Sequence, residues 1–293
     1  MIKVNDTVIN IQHFSDGSQK LVNIHIPEFL RGDKMTPCFD IVWKYENESE
    51  LVTLIYIVNY IRDNHVSAPN YITLRMLWVP NARMDRVECD TDVFTLKYFA
   101  QIINSLKFNK VIVLDPHSRV TNALIDRIKV IPAEHFINKA IKDIVTHYTF
   151  ELDFKNYLMC FPDNGAFERY ASLKCFDGFT KVVGKKHRDW ATGQITKLDL
   201  NVDESVVQGK SVFIVDDMIS SGETLYQFIK KLKDYGALQV YIYCSHLENR
   251  ILTEPDNNLK KMLDDNTIKF IYTTDSLFNH EHPKIKILDF GNV

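Results

Sequence analysis

Apolar runs rich in Val, Ile, Tyr and Phe alternate along the chain with stretches whose apolar residues recur every three or four positions. The runs have the length of buried strands, and the stretches have the period of amphipathic helices. This alternation is typical of an α/β protein with a largely parallel sheet. It predicts strands at Phe39–Lys44, Tyr71–Val79, Lys110–Leu114, Tyr157–Phe161, Lys181–Val183, Ser211–Val215, Gln239–Cys244 and Lys269–Tyr272.

Helices are predicted between these strands. In the first of them, apolar residues at spacings of three and four form one face, which we assign to the core rather than to a cofactor site; they are Leu51, Leu54, Ile55, Val58 and Ile61. The other helices are predicted from about Thr91 onward and over Ala133–Val145, Gly165–Cys175, Gly222–Tyr235 and Asn258–Leu263.

The length of the chain predicts two domains, since 293 residues are about twice the ~150 residues of an average domain. No segment repeats recognisably, and no linker is rich in Pro, Gly or Ser. A polar stretch over 144–154 separates two strand–helix series. We therefore predict two similar α/β lobes, residues 1–147 and 148–293, each a mainly parallel sheet flanked by helices.

Composition and charge exclude several classes of protein. With 45% hydrophobic and 25% charged residues, the chain is of the globular type. Its longest dense apolar stretch, Leu51–Val58, is far shorter than the roughly 18 residues of a membrane span, and we expect no signal peptide. The five cysteines form no CxxC pair, which favours a reducing compartment. A net charge of −3 with both signs interspersed argues against nucleic-acid binding, so we expect a cytoplasmic protein with neither nucleic acid nor membrane as partner.

The segment Val212–Leu225 carries the strongest chemical signal. An apolar run ends in Asp216 and Asp217, and a short loop of hydroxyls and glycine leads into a helix. Backbone N–H groups at a helix N-terminus bind phosphate, and the adjacent carboxylates suit the vicinal hydroxyls of a sugar or a hydrated Mg²⁺. An acidic strand end with a serine as helix cap is the simpler alternative, but strand, doublet, loop and helix in this order favour a ligand site.

Four further segments contain groups suited to phosphate or metal. Lys186 and Arg188 project to one side of an extended segment and suit a triphosphate, although a basic run is often only solvated. Each of the other candidates also has a simpler interpretation. Arg83 and Arg86 are able to form surface ion pairs, His117 to be a histidine of the core, and Asp163 to stabilise a turn. With Asp115 two residues away, His117 is instead able to share a hydrated metal.

Motifs of several other enzyme classes are missing from the sequence. It contains no GxGxxG, no GxxxxGK[ST], no GxSxG and no HExxH. A dinucleotide-binding Rossmann domain, a P-loop kinase, an α/β-hydrolase and a zinc peptidase are therefore not supported.

The ordered set of segments resembles the ribose-phosphate pyrophosphokinases, a family with the type I phosphoribosyltransferase fold. Val212–Leu225 resembles the ribose-phosphate fingerprint of that fold. The other segments that resemble parts of the family's pattern are Phe14–Ser18, Val79–Arg86, Asp115–Ser118, Phe161–Gly165, Lys185–Arg188 and Thr273–Ser276. They follow the family's order over almost the whole chain.

The resemblance implies Mg²⁺-dependent transfer of the diphosphoryl group of ATP to the C1 hydroxyl of ribose 5-phosphate, giving phosphoribosyl pyrophosphate and AMP. It also implies a homo-oligomer in which the Asp16 loop reaches a neighbouring subunit. The implied roles are catalysis for Lys186 and Arg188; ATP binding for Phe14, Asp16, Ser18, Arg83, Met84, Asp85, Arg86 and His117; ribose-phosphate binding for Asp216, Asp217, Ser220, Ser221, Gly222, Glu223 and Thr224; and metal binding for His117, Asp163 and Asp115.

Four positions depart from the family's usual pattern. Met84 stands for Gln, Ser18 for Glu, Ser220 for Asp and Glu223 for Gly. A carboxylate that faced the 5′-phosphate would repel it, so an acceptor extended at its phosphate, such as ADP-ribose, is an alternative. A catalytically silent relative that regulates an active synthetase and a phosphoribosyltransferase acting on a base are further alternatives.

Overall fold

The chain folds into two compact units, Met1–Pro132 and Ala133–Val293. The structure is a computed structural model, and it describes residues 1–22, 24, 26, 29–31, 36–64, 70–148, 155–188 and 195–290. The boundary lies before the predicted one at 147/148, because the helix that begins at Glu134 packs on the second unit. The Tyr272 hydroxyl donates to Asp143 Oδ2 of that helix at 2.8 Å.

The first unit is built on a mixed sheet with helices. Its elements are β1 (Ile2–Val4), β2 (Thr7–Val8), β3 (Ile11–His13), β4 (Gln19–Leu21), β5 (Phe29–Arg31), β6 (Thr36–Trp43), α1 (Ser49–Asn64), β7 (Tyr71–Met76), α2 (Thr95–Ser105), β8 (Lys110–Leu114), α3 (Val120–Leu124) and β9 (Ile128–Ile131). The sheet has the order β2-β1-β6-β7-β8-β9, with β5 also paired to β6. Strands β6 to β9 are parallel, whereas β1 and β5 run antiparallel to β6. Leu54, Val58 and Ile61 of the predicted stripe on α1 are fully buried against this sheet's core.

The second unit is a nearly all-parallel sheet with helices. Its elements are α4 (Glu134–Tyr148), β10 (Tyr157–Phe161), α5 (Asn164–Tyr170), β11 (Thr180–Arg188), β12 (Ile195–Leu200), α6 (Glu204–Val207), β13 (Ser211–Ile219), α7 (Glu223–Asp234), β14 (Val240–Leu247), α8 (Arg250–Thr253), α9 (Asn258–Asp264), β15 (Ile268–Thr274) and β16 (Ile285–Leu288). The sheet order is β12-β11-β10-β13-β14-β15-β16, and only the pairing of β12 with β11 is antiparallel among the described pairs. Strands β10 and β14 are buried at every position, as expected for parallel strands covered on both faces.

The α/β class and the eight predicted strands are confirmed, but several strands run further than predicted, and two of these extensions carry candidate site residues. Strand β13 continues through Asp216 and Asp217 to Ile219 instead of ending at Val215, because pairing with β14 continues from Asp216 to Ile219. Strand β11 continues to Arg188, paired with β12. Both extensions carry polar candidate residues beyond the carboxyl ends of the buried runs, which is where parallel sheets bind ligands.

Candidate active site

The aspartate doublet lies near the carboxyl end of β13. Asp217 is buried, and its Oδ2 accepts from Arg169 Nη1 of α5 at 3.4 Å. Asp216 Oδ1 accepts the backbone N–H of Asp217 at 2.9 Å. Burial raises the pKa of Asp216, and the negative charges of Asp217 and Asp163 raise it further. The carboxylates of Asp217 and Asp163 thus lie close enough to Asp216 for their charges to act on it, at the carboxyl end of the central strands.

Asp163 fixes the turn after β10. It is the N-cap of α5, and its Oδ1 accepts the backbone N–H of Ala166 at 3.0 Å. Asp163 therefore does stabilise the turn, as the simpler interpretation of the sequence proposed. The carboxylate also lies near enough to Asp216 to raise the pKa of that group, so a capping role and a place at the site coexist.

The loop after β13 is held by side chains from other elements. Ser220 Oγ donates to Glu248 Oε2 at 2.6 Å, and Asn257 Nδ2 donates to the carbonyl oxygen of Ser221 at 2.9 Å. Gly222 has φ +80° and precedes α7. The first N–H groups of a helix have no carbonyl partner one turn earlier, so the braced loop and the first turn of α7, which includes Thr224, offer N–H donors of the kind that suit an anion.

Glu223 is turned away from that end of α7. The side chain is exposed, and its Oε1 accepts from Gln227 Nε2, one turn further along the helix, at 2.8 Å. Its Oε2 accepts from Asn258 Nδ2 at 3.4 Å. The carboxylate is therefore held on the helix surface beside α9.

Lys186 and Arg188 lie in the extension of β11. Their backbones face Leu198 and Ile195 of β12 in the antiparallel pairing. The strand conformation agrees with the extended segment assumed from the sequence. Their side chains lie outside the described residues.

In the first unit, Asp115 and His117 follow β8. Asp115 is buried with φ +31°, and its backbone N–H donates to the carbonyl of Ile131 at 3.0 Å. His117 is half-buried in the same turn. In the described ranges, no group of three or more His, Cys, Asp and Glu side chains has an arrangement that could hold a metal ion.

The other candidate ATP-binding residues of this unit occupy two surface turns. Arg83 and Met84 are exposed, and Arg86 Nε lies 3.6 Å from Asp85 Oδ1 and 3.2 Å from Glu88 Oε1. The surface ion pair considered for Arg86 is thus present.

The turn between β3 and β4 carries Phe14, Asp16 and Ser18. Asp16 Oδ1 accepts from Ser18 Oγ at 2.7 Å and from the Ser18 backbone N–H at 2.9 Å. These hydrogen bonds lower the pKa of Asp16. The turn is exposed and keeps a carboxylate ionised at its tip.

Sequence reasoning missed three residues that support the site: Arg169, Glu248 and Asn257. Asn257 has a readable signal, since an asparagine directly before an apolar helical segment is a capping candidate. Arg169 and Glu248 have none, because their partners Asp217 and Ser220 lie far away in the sequence.

Comparison with known proteins identifies relatives of this chain. Residues 137–278 match the model of the phosphoribosyl transferase domain. Ribose-phosphate pyrophosphokinase of Porphyromonas gingivalis is 23% identical over 286 residues, which are 97% of this chain and 83% of that protein. The enzyme of the same name from Saccharolobus solfataricus is 24% identical over 84% of this chain and 77% of its own. The chain thus resembles the ribose-phosphate pyrophosphokinase family over almost its whole length.

A solved structure of this family has the same fold. Phosphoribosylpyrophosphate synthetase of Mycobacterium smegmatis superposes with a TM-score of 0.74 at 18% identity, covering 97% of this chain and 87% of that one. The family consists of diphosphokinase-type transferases. In the described part of this chain, no helix is both long and apolar enough to cross a membrane.

Proposed function

We propose that the protein makes phosphoribosyl pyrophosphate and AMP by transferring the diphosphoryl group of ATP to the C1 hydroxyl of ribose 5-phosphate. The observation that carries the proposal is the succession of β13, the braced Ser220–Thr224 loop and α7. It combines sugar-binding carboxylates with an anion-binding helix end. The similarity to ribose-phosphate pyrophosphokinases supports the reaction type.

Each group of the second unit has a role in this proposal. Asp216 and Asp217 accept hydrogen bonds from the ribose hydroxyls, and the N–H groups of the loop bind the 5′-phosphate. Lys186 and Arg188 neutralise charge on the migrating group, since transfer of a phosphoryl or diphosphoryl group depends on electrostatic stabilisation. The resemblance assigns ATP to groups of the first unit, among them Arg83 and the Asp16 turn.

The carboxylates of the second unit fit Mg²⁺. Mg²⁺ prefers oxygen ligands, keeps several waters and is commonly bound by one or two carboxylates together with substrate phosphates. Burial raises the pKa of Asp216, and the negative charges of Asp217 and Asp163 raise it further, so a cation bound nearby would stabilise the ionised carboxylate. We propose that Asp163 and at most one carboxylate of the doublet hold it together with the substrate phosphates, with the Asp115–His117 turn assigned by resemblance. The ion would supply charge neutralisation of the phosphates.

The orientation of Glu223 favours ribose 5-phosphate over ADP-ribose as acceptor. Two unit charges ~4 Å apart repel by about 4 kcal/mol at an effective dielectric of ~20, so a glutamate beside the phosphate would select against a doubly charged terminal phosphate. Its bonds to Gln227 and Asn258 hold the carboxylate elsewhere. The ADP-ribose alternative therefore loses its physical reason.

The test measures AMP release from ATP with ribose 5-phosphate or ADP-ribose as acceptor. The wild type should use ribose 5-phosphate, and Glu223→Gln, which removes only the charge, should leave the preference within about twofold. If the wild type prefers ADP-ribose and Glu223→Gln shifts that preference, the acceptor is wrong. A base-dependent use of phosphoribosyl pyrophosphate, or no turnover with either acceptor, would favour the transferase or the regulatory alternative.

We also propose that the protein is a homo-oligomer, as the family resemblance implies. The exposed Phe14–Ser18 turn supports this, since 53% of Phe14 is accessible in the single chain. Light scattering after size exclusion measures the mass, and a monomer at assay concentration would contradict the proposal.

A further inference from the structure

Asn257 uses both ends of its side chain to join two elements. It lies directly before α9, and only 7% of its surface is exposed. Its Oδ1 accepts the backbone N–H of Lys260 at 3.1 Å and so caps the helix. Its Nδ2 donates to the carbonyl oxygen of Ser221 at 2.9 Å. The loop after β13 is thereby attached to the first turn of α9.

The bond to Ser221 fixes the direction of a donor in the loop. A peptide unit is planar and trans, so its C=O and N–H point in opposite directions. The carbonyl of Ser221 and the N–H of Gly222 belong to the same unit. When Asn257 holds the carbonyl on the α9 side, the N–H of Gly222 is held toward the opposite side of the loop.

The same helix supports the loop a second time through packing. Leu259, two residues after Asn257, is fully buried. Its Cδ1 lies 2.0 Å from the place where a Cβ of Gly222 would be. A hydrogen bond and a close apolar contact from α9 therefore act on adjacent residues of the loop.

We propose that Asn257 is a positioning residue for the acceptor phosphate: it orients the loop's N–H groups through Ser221 without itself contacting the ligand. This inference rests on the proposed function for the identity of the ligand. The orientation of the loop is a separate property and is measurable without turnover.

The test compares Asn257→Ser with a matched control. Serine is as good a helix cap as asparagine but is too short to reach the Ser221 carbonyl. The variant therefore keeps the cap of α9 and removes the hydrogen bond to Ser221. Asn104 makes the same pair of bonds in the first unit, donating to the Leu124 carbonyl at 2.8 Å and accepting the Asp126 N–H at 2.9 Å. Asn104→Ser is therefore the control.

Two readouts separate positioning from a general structural role. In Asn257→Ser, KM for ribose 5-phosphate should rise about three- to tenfold, the effect of one lost hydrogen bond, while KM for ATP stays within about twofold. Amide hydrogen exchange in residues 221–224 should accelerate by a similar factor. Asn104→Ser should change neither KM nor exchange in residues 221–224, although it removes two hydrogen bonds and should lower the melting temperature at least as much as Asn257→Ser does.

The inference is overturned if exchange in the loop is unchanged in Asn257→Ser, or if KM rises equally for both substrates. If the wild type released no AMP, the proposed function would be refuted instead. The hydrogen-exchange comparison would then still show whether Asn257 orients the loop.

Discussion

Gly222→Ala is the change that most directly tests how the loop after β13 is built. Gly222 has φ +80°, a conformation that favours glycine, and a Cβ there would lie 2.0 Å from Leu259 Cδ1 and 2.8 Å from Leu259 Cγ. Ordinary contacts between carbon atoms are about 3.5–4.0 Å. Alanine therefore meets two obstacles, one in its own backbone and one in its neighbour.

The two costs are separable in magnitude. An L-residue in the left-handed region costs roughly 1–2 kcal/mol, and overpacking a core contact costs typically ~1–3 kcal/mol. Gly222→Ala should thus lower the free energy of unfolding by about 2–5 kcal/mol. Gly209 has φ +73° with nothing within 4 Å of its Cβ position, so Gly209→Ala should show the backbone cost alone.

Calorimetry of both variants, of Leu259→Ala and of the double variant Gly222→Ala/Leu259→Ala measures these terms. In a domain of this size, 1 kcal/mol shifts the melting temperature by about 2–4 °C. Leu259→Ala alone should cost about 2–5 kcal/mol for its cavity. In the Leu259→Ala background, Gly222→Ala should lower the free energy of unfolding by about 1–3 kcal/mol less than it does in the wild type. The reason is that the leucine side chain that a Cβ at position 222 would overlap is no longer there.

Two results would refute this reasoning. If Gly222→Ala cost no more than Gly209→Ala, the close approach of Leu259 would play no part in the stability of the loop. If the double variant were additive within about 0.5 kcal/mol, the two residues would not be coupled.

Three further predictions concern charge. Lys186→Ala and Arg188→Ala should each lower turnover about tenfold to a thousandfold, with a smaller change in ATP affinity. Near-wild-type turnover of both variants at saturating Mg–ATP would contradict the catalytic role assigned to these two residues. A chelator should abolish activity, and added Mg²⁺ should restore it. His117→Ala should raise the Mg²⁺ concentration that activity requires. If this variant instead lost its thermal unfolding transition while its Mg²⁺ dependence stayed unchanged, His117 would be a core histidine. Because the folded pKa of Asp216 is raised, its ionisation destabilises the fold as pH rises above the unfolded value of about 3.9. Asp216→Asn should therefore melt higher than the wild type at neutral pH and equally near pH 3, and an equal difference at both pH values would contradict the charge argument.

Much of the fold follows from local patterns. The apolar runs at Lys110–Leu114 and Tyr157–Phe161 are strands with the predicted bounds, since buried parallel strands need little beyond a continuous apolar run. The short strands β1 to β5 gave no such signal, because two or three residues carry no measurable period. The continuation of β13 through two charged residues was not predictable either, since it depends on pairing with β14.

The candidate residues were identified from their order, but their orientations were not. The direction of Glu223 depends on Gln227 and on Asn258, 35 residues away. The partner of Asp217 is Arg169, 48 residues earlier. Contacts of this kind arise only from the packed sheet, so the sequence supports a list of groups and not their geometry.

The packing of α4 determines how the second unit should be dissected. Phe136 of α4 stacks on Phe290 with ring centroids 6.4 Å apart, and Tyr272 donates to Asp143. A fragment limited to the family match, residues 137–278, would lack both phenylalanines and the edge strand β16. A fragment beginning at 148 would leave Tyr272 without its acceptor. An autonomously folding piece of this protein should therefore start at or before Ala133 and extend through Phe290.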